Sequence, residues 1–289
     1  MKYLIICIAM IGLLTSSCRL DSFLYNPDEL EEYKFDAYEG DTRFKLDNSY
    51  SIDDNLIDLF TLESGGEEIY AVYVGDQNRI ATDTVILYCH GNAAHMDAYW
   101  PRTKLLANLG HKNRYGVMTL DYQGYGKSTG TPTEDGLYED VDACMKWLES
   151  KGLTSDRLII YGFSMGTAPA TELTANPRTL TPSKLVLEAP FASGDFLTQD
   201  IGKLSMPASF FNNLKIDNAE EIKKVKQPFL WLHGVNDDFV GIHHGEAVIK
   251  NYSGSQLTVL RVAGAEHSTV PPVLGFDYYS QAILEFVEN

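Results

Sequence analysis

Between residues 56 and 74 the apolar positions fall into two short runs, Leu56-Ile57-Asp58-Leu59-Phe60-Thr61-Leu62 and Ile69-Tyr70-Ala71-Val72-Tyr73-Val74. Glu63-Ser64-Gly65-Gly66 separates them, and two β-prone runs around a Gly-rich turn predict a hairpin. From residue 84 the rhythm changes. Short, almost continuous apolar runs at 84–89, 115–120, 158–160, 185–187, 229–232 and 257–260 alternate with longer stretches of helical character. A run apolar on successive positions predicts a strand buried on both faces. Helices are expected through 104–109, stopped by Gly110, and through Leu137, Val141, Cys144 and Leu148 with Thr133 as cap. A last helix is expected through Tyr278, Ile283, Leu284 and Phe286. Eight strands alternating with helices in this way predict an α/β domain with a mainly parallel sheet and helices on both faces. Ligands of such sheets sit outside the carboxyl ends of the strands.

The first fifty residues do not share this rhythm. Met1-Lys2 precedes an apolar run from Tyr3 to Leu14, then Thr15-Ser16-Ser17-Cys18. A basic start, a short apolar core and small residues describe a secretory signal over 1–17, too short for a comfortable membrane span. The position of Cys18 resembles a bacterial lipoprotein signal, although Thr15 stands three residues before the Cys where most such signals carry Leu. That resemblance implies lipidation of Cys18, a membrane as partner and a cell-envelope location, with plain secretion or a soluble periplasmic form as the alternative. Residues 18–50 are acidic and irregular, fit for a tether or a strap over a catalytic domain spanning 51–289.

The chain has 289 residues, 44% of them hydrophobic, enough for one sizeable core. Its formal net charge of -17 argues against nucleic acid as a partner. Of four cysteines, Cys7 and Cys18 belong to the leader; Cys89 and Cys144 fall in a strand and a helix, as buried free thiols rather than a disulfide or metal set.

The chemistry concentrates after strands. Residues 157–166 read Arg-Leu-Ile-Ile-Tyr-Gly-Phe-Ser-Met-Gly, a strand, a tight turn and a helix start around Gly162-Phe163-Ser164-Met165-Gly166. That context suits a nucleophile elbow, with Ser164 strained at a helix N-terminus and the Met165 N–H facing a developing oxyanion. An elbow serine needs an acid and a base, in the order Ser, acid, His. His267, in Ala263-Gly264-Ala265-Glu266-His267-Ser268, is the best placed of seven histidines. Asp237 and Asp238 both follow the strand at 229–232, Asp238 also suiting a turn or cap; Glu188 is a further candidate acid and Asp121 reads as a turn former. His90-Gly91-Asn92-Ala93 follows another strand, so the Asn92 N–H, or that of Ala93, can supply a second oxyanion donor. His90 and His233 read as structural, and His243 and His244 as surface residues starting a helix. In the insertion at 192–227, Leu197, Met206, Phe210, Phe211 and Leu214 either line an acyl pocket or pack a helix on the core, the second being preferred. The insertion is too short for a large cap.

Taken together, His90-Gly91-Asn92-Ala93, Asp121-Tyr122-Gln123-Gly124-Tyr125-Gly126-Lys127-Ser128, Leu137-Tyr138-Glu139-Asp140 and Tyr161-Gly162-Phe163-Ser164-Met165-Gly166-Thr167 resemble the α/β-hydrolase superfamily. The likeness is to the branch of the α/β-hydrolase-domain protein depalmitoylases and their bacterial relatives, and runs from about residue 55 to the end. It implies an α/β-hydrolase fold with a minimal cap, and Ser164 as nucleophile, Asp237 as acid and His267 as base. The expected activity is serine hydrolysis of carboxylic esters or thioesters on a small-molecule or acylated substrate, with no cofactor and no metal. A peptidase or amidase, or a membrane-tethered binding protein without turnover, are the alternatives.

Overall fold

The computed structural model describes residues 24–110, 114–203 and 214–289. The expectations for 1–17, Cys18, Met206, Phe210 and Phe211 lie outside the described residues. The hairpin is present as β1 (Ile57–Ser64) and β2 (Glu67–Val74), turning at Gly65 and Gly66, whose φ of +60° and +90° a side chain would resist. The six later runs form β3 (Val85–Cys89), β4 (Gly116–Leu120), β5 (Leu158–Phe163), β6 (Lys184–Glu188), β7 (Phe229–Gly234) and β8 (Leu257–Val262). They join in one sheet in the order β1-β2-β4-β3-β5-β6-β7-β8, antiparallel at β1/β2 and β2/β4 and parallel elsewhere.

Alternation along each strand divides the core in two. Val85, Leu87, Cys89 and Ile160 face one side, where α2 (Glu134–Ser150), α3 (Thr167–Ala175) and α6 (Ile242–Asn251) pack. Ile86, Tyr88, Ile159 and Tyr161 face the other, under α1 (Met96–Ala107) and α8 (Phe276–Glu288). Thr133 caps α2 by accepting the Gly136 N–H at 2.9 Å. Cys89 and Cys144 are buried free thiols, and burial pushes both thiols up. The short elements are α4 (Gly194–Gly202) and α5 (Asn218–Glu221) in the insertion, and α7 (Val270–Leu274) after the His267 loop.

Residues 24–50 pack on the domain as a strap, with Leu24 and Phe44 buried. Asn26–Pro27 pairs in parallel with Ala93–Ala94, and Glu29 bridges to Gly126. Among the described residues no helix is long and apolar enough to cross a membrane.

Candidate active site

β5 lies at the centre of the sheet and ends against the turn Ser164–Gly166, which runs into α3. The turn is tight because two glycines permit it. A Cβ on Gly162 would fall 2.5 Å from the Gly166 carbonyl oxygen, and one on Gly166 would fall 2.0 Å from that of Cys89. Ser164 between them has φ +52°, in the left-handed region that a non-glycine residue enters only under constraint. Its hydroxyl is thereby lifted off the strand end.

His267 reaches back over it from the loop after β8. Its Nε2 lies 2.9 Å from Ser164 Oγ, and its Nδ1 lies 2.8 Å from Asp237 Oδ2. The Phe163 and Phe239 rings, at 5.3 and 5.0 Å, hold the imidazole between them. Asp237 is buried, and its other oxygen accepts the Phe239 and Val240 N–H groups at 3.0 and 2.8 Å. Burial pushes its carboxyl up, but bonds from His233, His267 and the backbone outweigh that and hold it well below the usual carboxylate range. Ser164, Asp237 and His267 are thus brought together; Asp238 is exposed on the same turn and takes no part. Asn92 and Met165 line the same cavity as Ser164. The Ala93 N–H faces the Tyr99 hydroxyl oxygen instead, leaving Asn92 as the candidate second donor.

Two cavities meet at Ser164. One is apolar, walled by Leu24, Phe191, Leu197, Ile201, Leu214 and Phe239. The other runs past Tyr99, Phe163 and His267 to Asp41 and Phe44 of the strap. Leu197, in α4, and Leu214, outside any helix, both pack on the core and line the apolar cavity.

A scan against protein families matches residues 84–205 to the alpha/beta hydrolase fold. The Pyrococcus furiosus esterase Pf2001 superposes with a TM-score of 0.70 at 16% identity, covering 92% of this chain and 97% of that one. The chain has the α/β-hydrolase fold. Est1E from Butyrivibrio proteoclasticus, solved with ferulic acid bound, matches at a TM-score of 0.63 and 16% identity over 80% of this chain and all of that one (100%). Sequence similarity is found to curated proteins as well. The "Alpha/beta hydrolase domain-containing protein aho-3" of Caenorhabditis elegans is 32% identical over 64% of this chain and 52% of its own length. The human "Alpha/beta hydrolase domain-containing protein 17B" is 29% identical over 71% and 66%. The matches span between half and two thirds of the length of these relatives.

Several residues of this chain stand elsewhere than its sequence suggested. Glu188 is not an acid for His267: at the end of β6 its carboxylate receives Arg102 at 2.7 Å and the Tyr161 and Tyr279 hydroxyls. Asp121 is no plain turn former but fully buried, accepting the Met96 N–H and the Tyr33 hydroxyl, each at 2.7 Å. His244 is not at the surface. It is buried beside exposed His243 because the first turn of α6 faces the insertion helix α4. Arg102, which the sequence did not single out, donates to the Ser268 carbonyl at 3.1 Å and lies 4.1 Å over the Phe163 ring. It thus supports both the loop of His267 and the residue before Ser164; one arginine in an amphipathic helix carries no signal of this.

Among the described residues, Asp200, His243 and His244 have donor atoms close enough to share a metal. The tautomer opposes it. His244 Nδ1 accepts the Ala192 N–H at 3.3 Å, so in the neutral ring Nε2 carries the proton and has no lone pair to offer. Nε2 instead faces Asp200 Oδ2 at 3.3 Å, and His243 Nε2 lies 2.7 Å from the same oxygen. The group ties α4 to α6.

Proposed function

We propose that the protein is a serine hydrolase of carboxylic esters or thioesters working through an acyl-enzyme on Ser164. The observation that carries this reading is the continuous bonded line from Ser164 Oγ through His267 to Asp237, at 2.9 and 2.8 Å, beside an apolar cavity. His267 takes the Ser164 proton as Oγ attacks the acyl carbon, and gives it to the leaving oxygen or sulfur. Asp237, held ionised, keeps Nδ1 protonated and stabilises the imidazolium. The Met165 and Asn92 N–H groups receive the tetrahedral oxyanion, and water activated by the same imidazole releases the acid. The apolar cavity under α4 takes the acyl chain, and the cavity toward Tyr99 and the strap takes the leaving group.

The test is covalent labelling. A fluorophosphonate probe labels the wild type, and Ser164→Ala abolishes both labelling and ester hydrolysis; an unlabelled wild type refutes the proposal. Lipidation of Cys18 is proposed from the leader pattern alone. Incorporation of a labelled fatty acid in a bacterial host, lost in Cys18→Ser, tests it.

A further inference from the structure

Outside the line of Ser164, Asp237 and His267, a buried polar network surrounds Asn92. The Asn92 N–H belongs to the Gly91–Asn92 peptide, and the carbonyl of that peptide lies 2.7 Å from His90 Nδ1. A carbonyl oxygen only accepts, so Nδ1 carries the proton, and this bond fixes the plane of the peptide and polarises its N–H. The other edge of the ring, Nε2, lies 3.3 Å from Asp121 Oδ1 without a hydrogen bond between them, both side chains fully buried, so the carboxylate is packed against the ring edge. The Asp121 carboxylate is itself held on two sides, by the Met96 N–H on Oδ1 and by the Tyr33 hydroxyl on Oδ2.

Tyr33 belongs to the strap. Its hydroxyl donates to Asp121 and accepts the Lys127 N–H at 3.1 Å, over Gly126, where a Cβ would fall 2.0 Å from Asp121 Oδ2 and 2.7 Å from the Tyr33 hydroxyl. The next peptide of the same turn is held by the strap as well. The Asn92 carbonyl accepts the Asn26 N–H at 3.0 Å and the Tyr125 hydroxyl at 2.9 Å, and Ala94, two residues on, has φ +63°. A turn with a non-glycine residue in the left-handed region needs its surroundings to hold it there.

We infer that the strap segment from Asn26 to Tyr33 is a positioning element for the oxyanion site: Tyr33 through the buried Asp121 and His90 side chains, and the Asn26 N–H through the adjoining Asn92–Ala93 peptide, aim the Asn92 N–H at the oxygen that becomes negative on Ser164 attack. This rests on the proposed acyl-transfer reaction. It assigns a catalytic consequence to a segment outside the residues 84–205 matched by the family. Neither Asn26 nor Tyr33 lines either cavity at Ser164. They act through the turn that carries the donor, so their loss lowers the rate of the chemical step and leaves ground-state binding alone.

The experiment compares the full-length wild type with Tyr33→Phe and Asn26→Pro, which remove one hydroxyl and one N–H. Tyr50→Phe is the control, a strap hydroxyl that bonds Asp277 instead, at 2.8 Å. Three readouts are taken: kcat and KM on a p-nitrophenyl ester, affinity for a trifluoromethyl ketone whose adduct presents an oxyanion, and the thermal midpoint. In Tyr33→Phe and Asn26→Pro, kcat and ketone affinity are expected to fall together by about tenfold, with KM within twofold and Tyr50→Phe matching the wild type. A merely structural role would lower the midpoint without that paired loss. If either strap variant fails to fold, the other carries the test. A wild type that hydrolyses the ester and binds the ketone, with strap variants equal to it, overturns this inference alone. A wild type that does neither overturns the hydrolase reading and this inference with it.

Discussion

Ser164 at φ +52° is a residue the backbone would release if Gly162 or Gly166 carried a side chain, so its placement depends on its neighbours as much as on its own chemistry. The same holds for Asp237. Its carboxylate receives two backbone N–H groups as well as His267, so the loop survives loss of the charge while the imidazole does not keep its tautomer. Asp237→Asn is therefore expected to fold, with a lowered thermal midpoint, and to lose kcat on the order of 10⁴-fold, measured on any turned-over ester. Asp237 and His267 were legible because an elbow serine requires an acid and a base at later strand ends. The choice of Asp237 over Asp238 came from the family resemblance, and the turn geometry bears on it directly, burying one carboxylate and exposing the other.

At the scale of elements, the strap and α1 are joined by two carboxylates, Asp36 of the strap on Trp100 and Lys104, and Asp97 of α1 on the strap backbone. Asp97, in the first turn of α1, accepts the Lys34 N–H at 2.6 Å and the Phe35 N–H at 2.9 Å, while the Phe35 ring lies 4.7 Å from that of Trp100. Burial raises the Asp97 carboxyl, and those two N–H bonds work against the rise. Asp97→Ala leaves two partly buried backbone donors without an acceptor, at a cost of about 1–3 kcal/mol. Limited proteolysis is expected to cut the variant within residues 30–40 under conditions where the wild type resists, and a denaturant titration gives the cost. The acidic, irregular composition of 18–50 predicted a tether or strap without indicating which groups would hold it. Sequence patterns report periodicity within one element, whereas docking is decided by the element it meets.

For the whole molecule, buried ionisable groups set how stability responds to acid. His244 is held down to about 4 from 6.5, chiefly by burial and then by the nearby His243. The unfolded chain binds this proton near pH 6.5 and the native state does not. Stability from His244 is thus complete above about pH 6.5 and is lost as pH falls toward 4, by about 3 kcal/mol. Asp140 works in the opposite sense below pH 6, because burial, opposed by bonds from Ser64 and Gln123, leaves its carboxyl pushed up to about 6. The informative quantity is therefore the difference between wild type and His244→Asn. Urea titrations at pH 7.5, 5.5 and 4.5 are expected to show the variant losing less stability on acidification; parallel curves would remove His244 from the account.

The sequence by itself determined the strand and helix order, the eight-stranded sheet with its antiparallel start, the elbow, and Ser164 and His267 in order with Asp237 or Asp238 between them. Each of these is local or depends only on order along the chain: apolar periodicity, glycines where a turn needs them, polar residues at strand ends. Tertiary structure alone decided that Glu188 pairs with Arg102 rather than with His267, that His244 turns inward against α4, and that Asp121 joins Tyr33 to His90. Those outcomes depend on which side chains meet from segments as much as 88 residues apart. In a buried, low-dielectric interior a polar group must find its partner wherever the fold places one, and the order of residues along the chain does not record where that is.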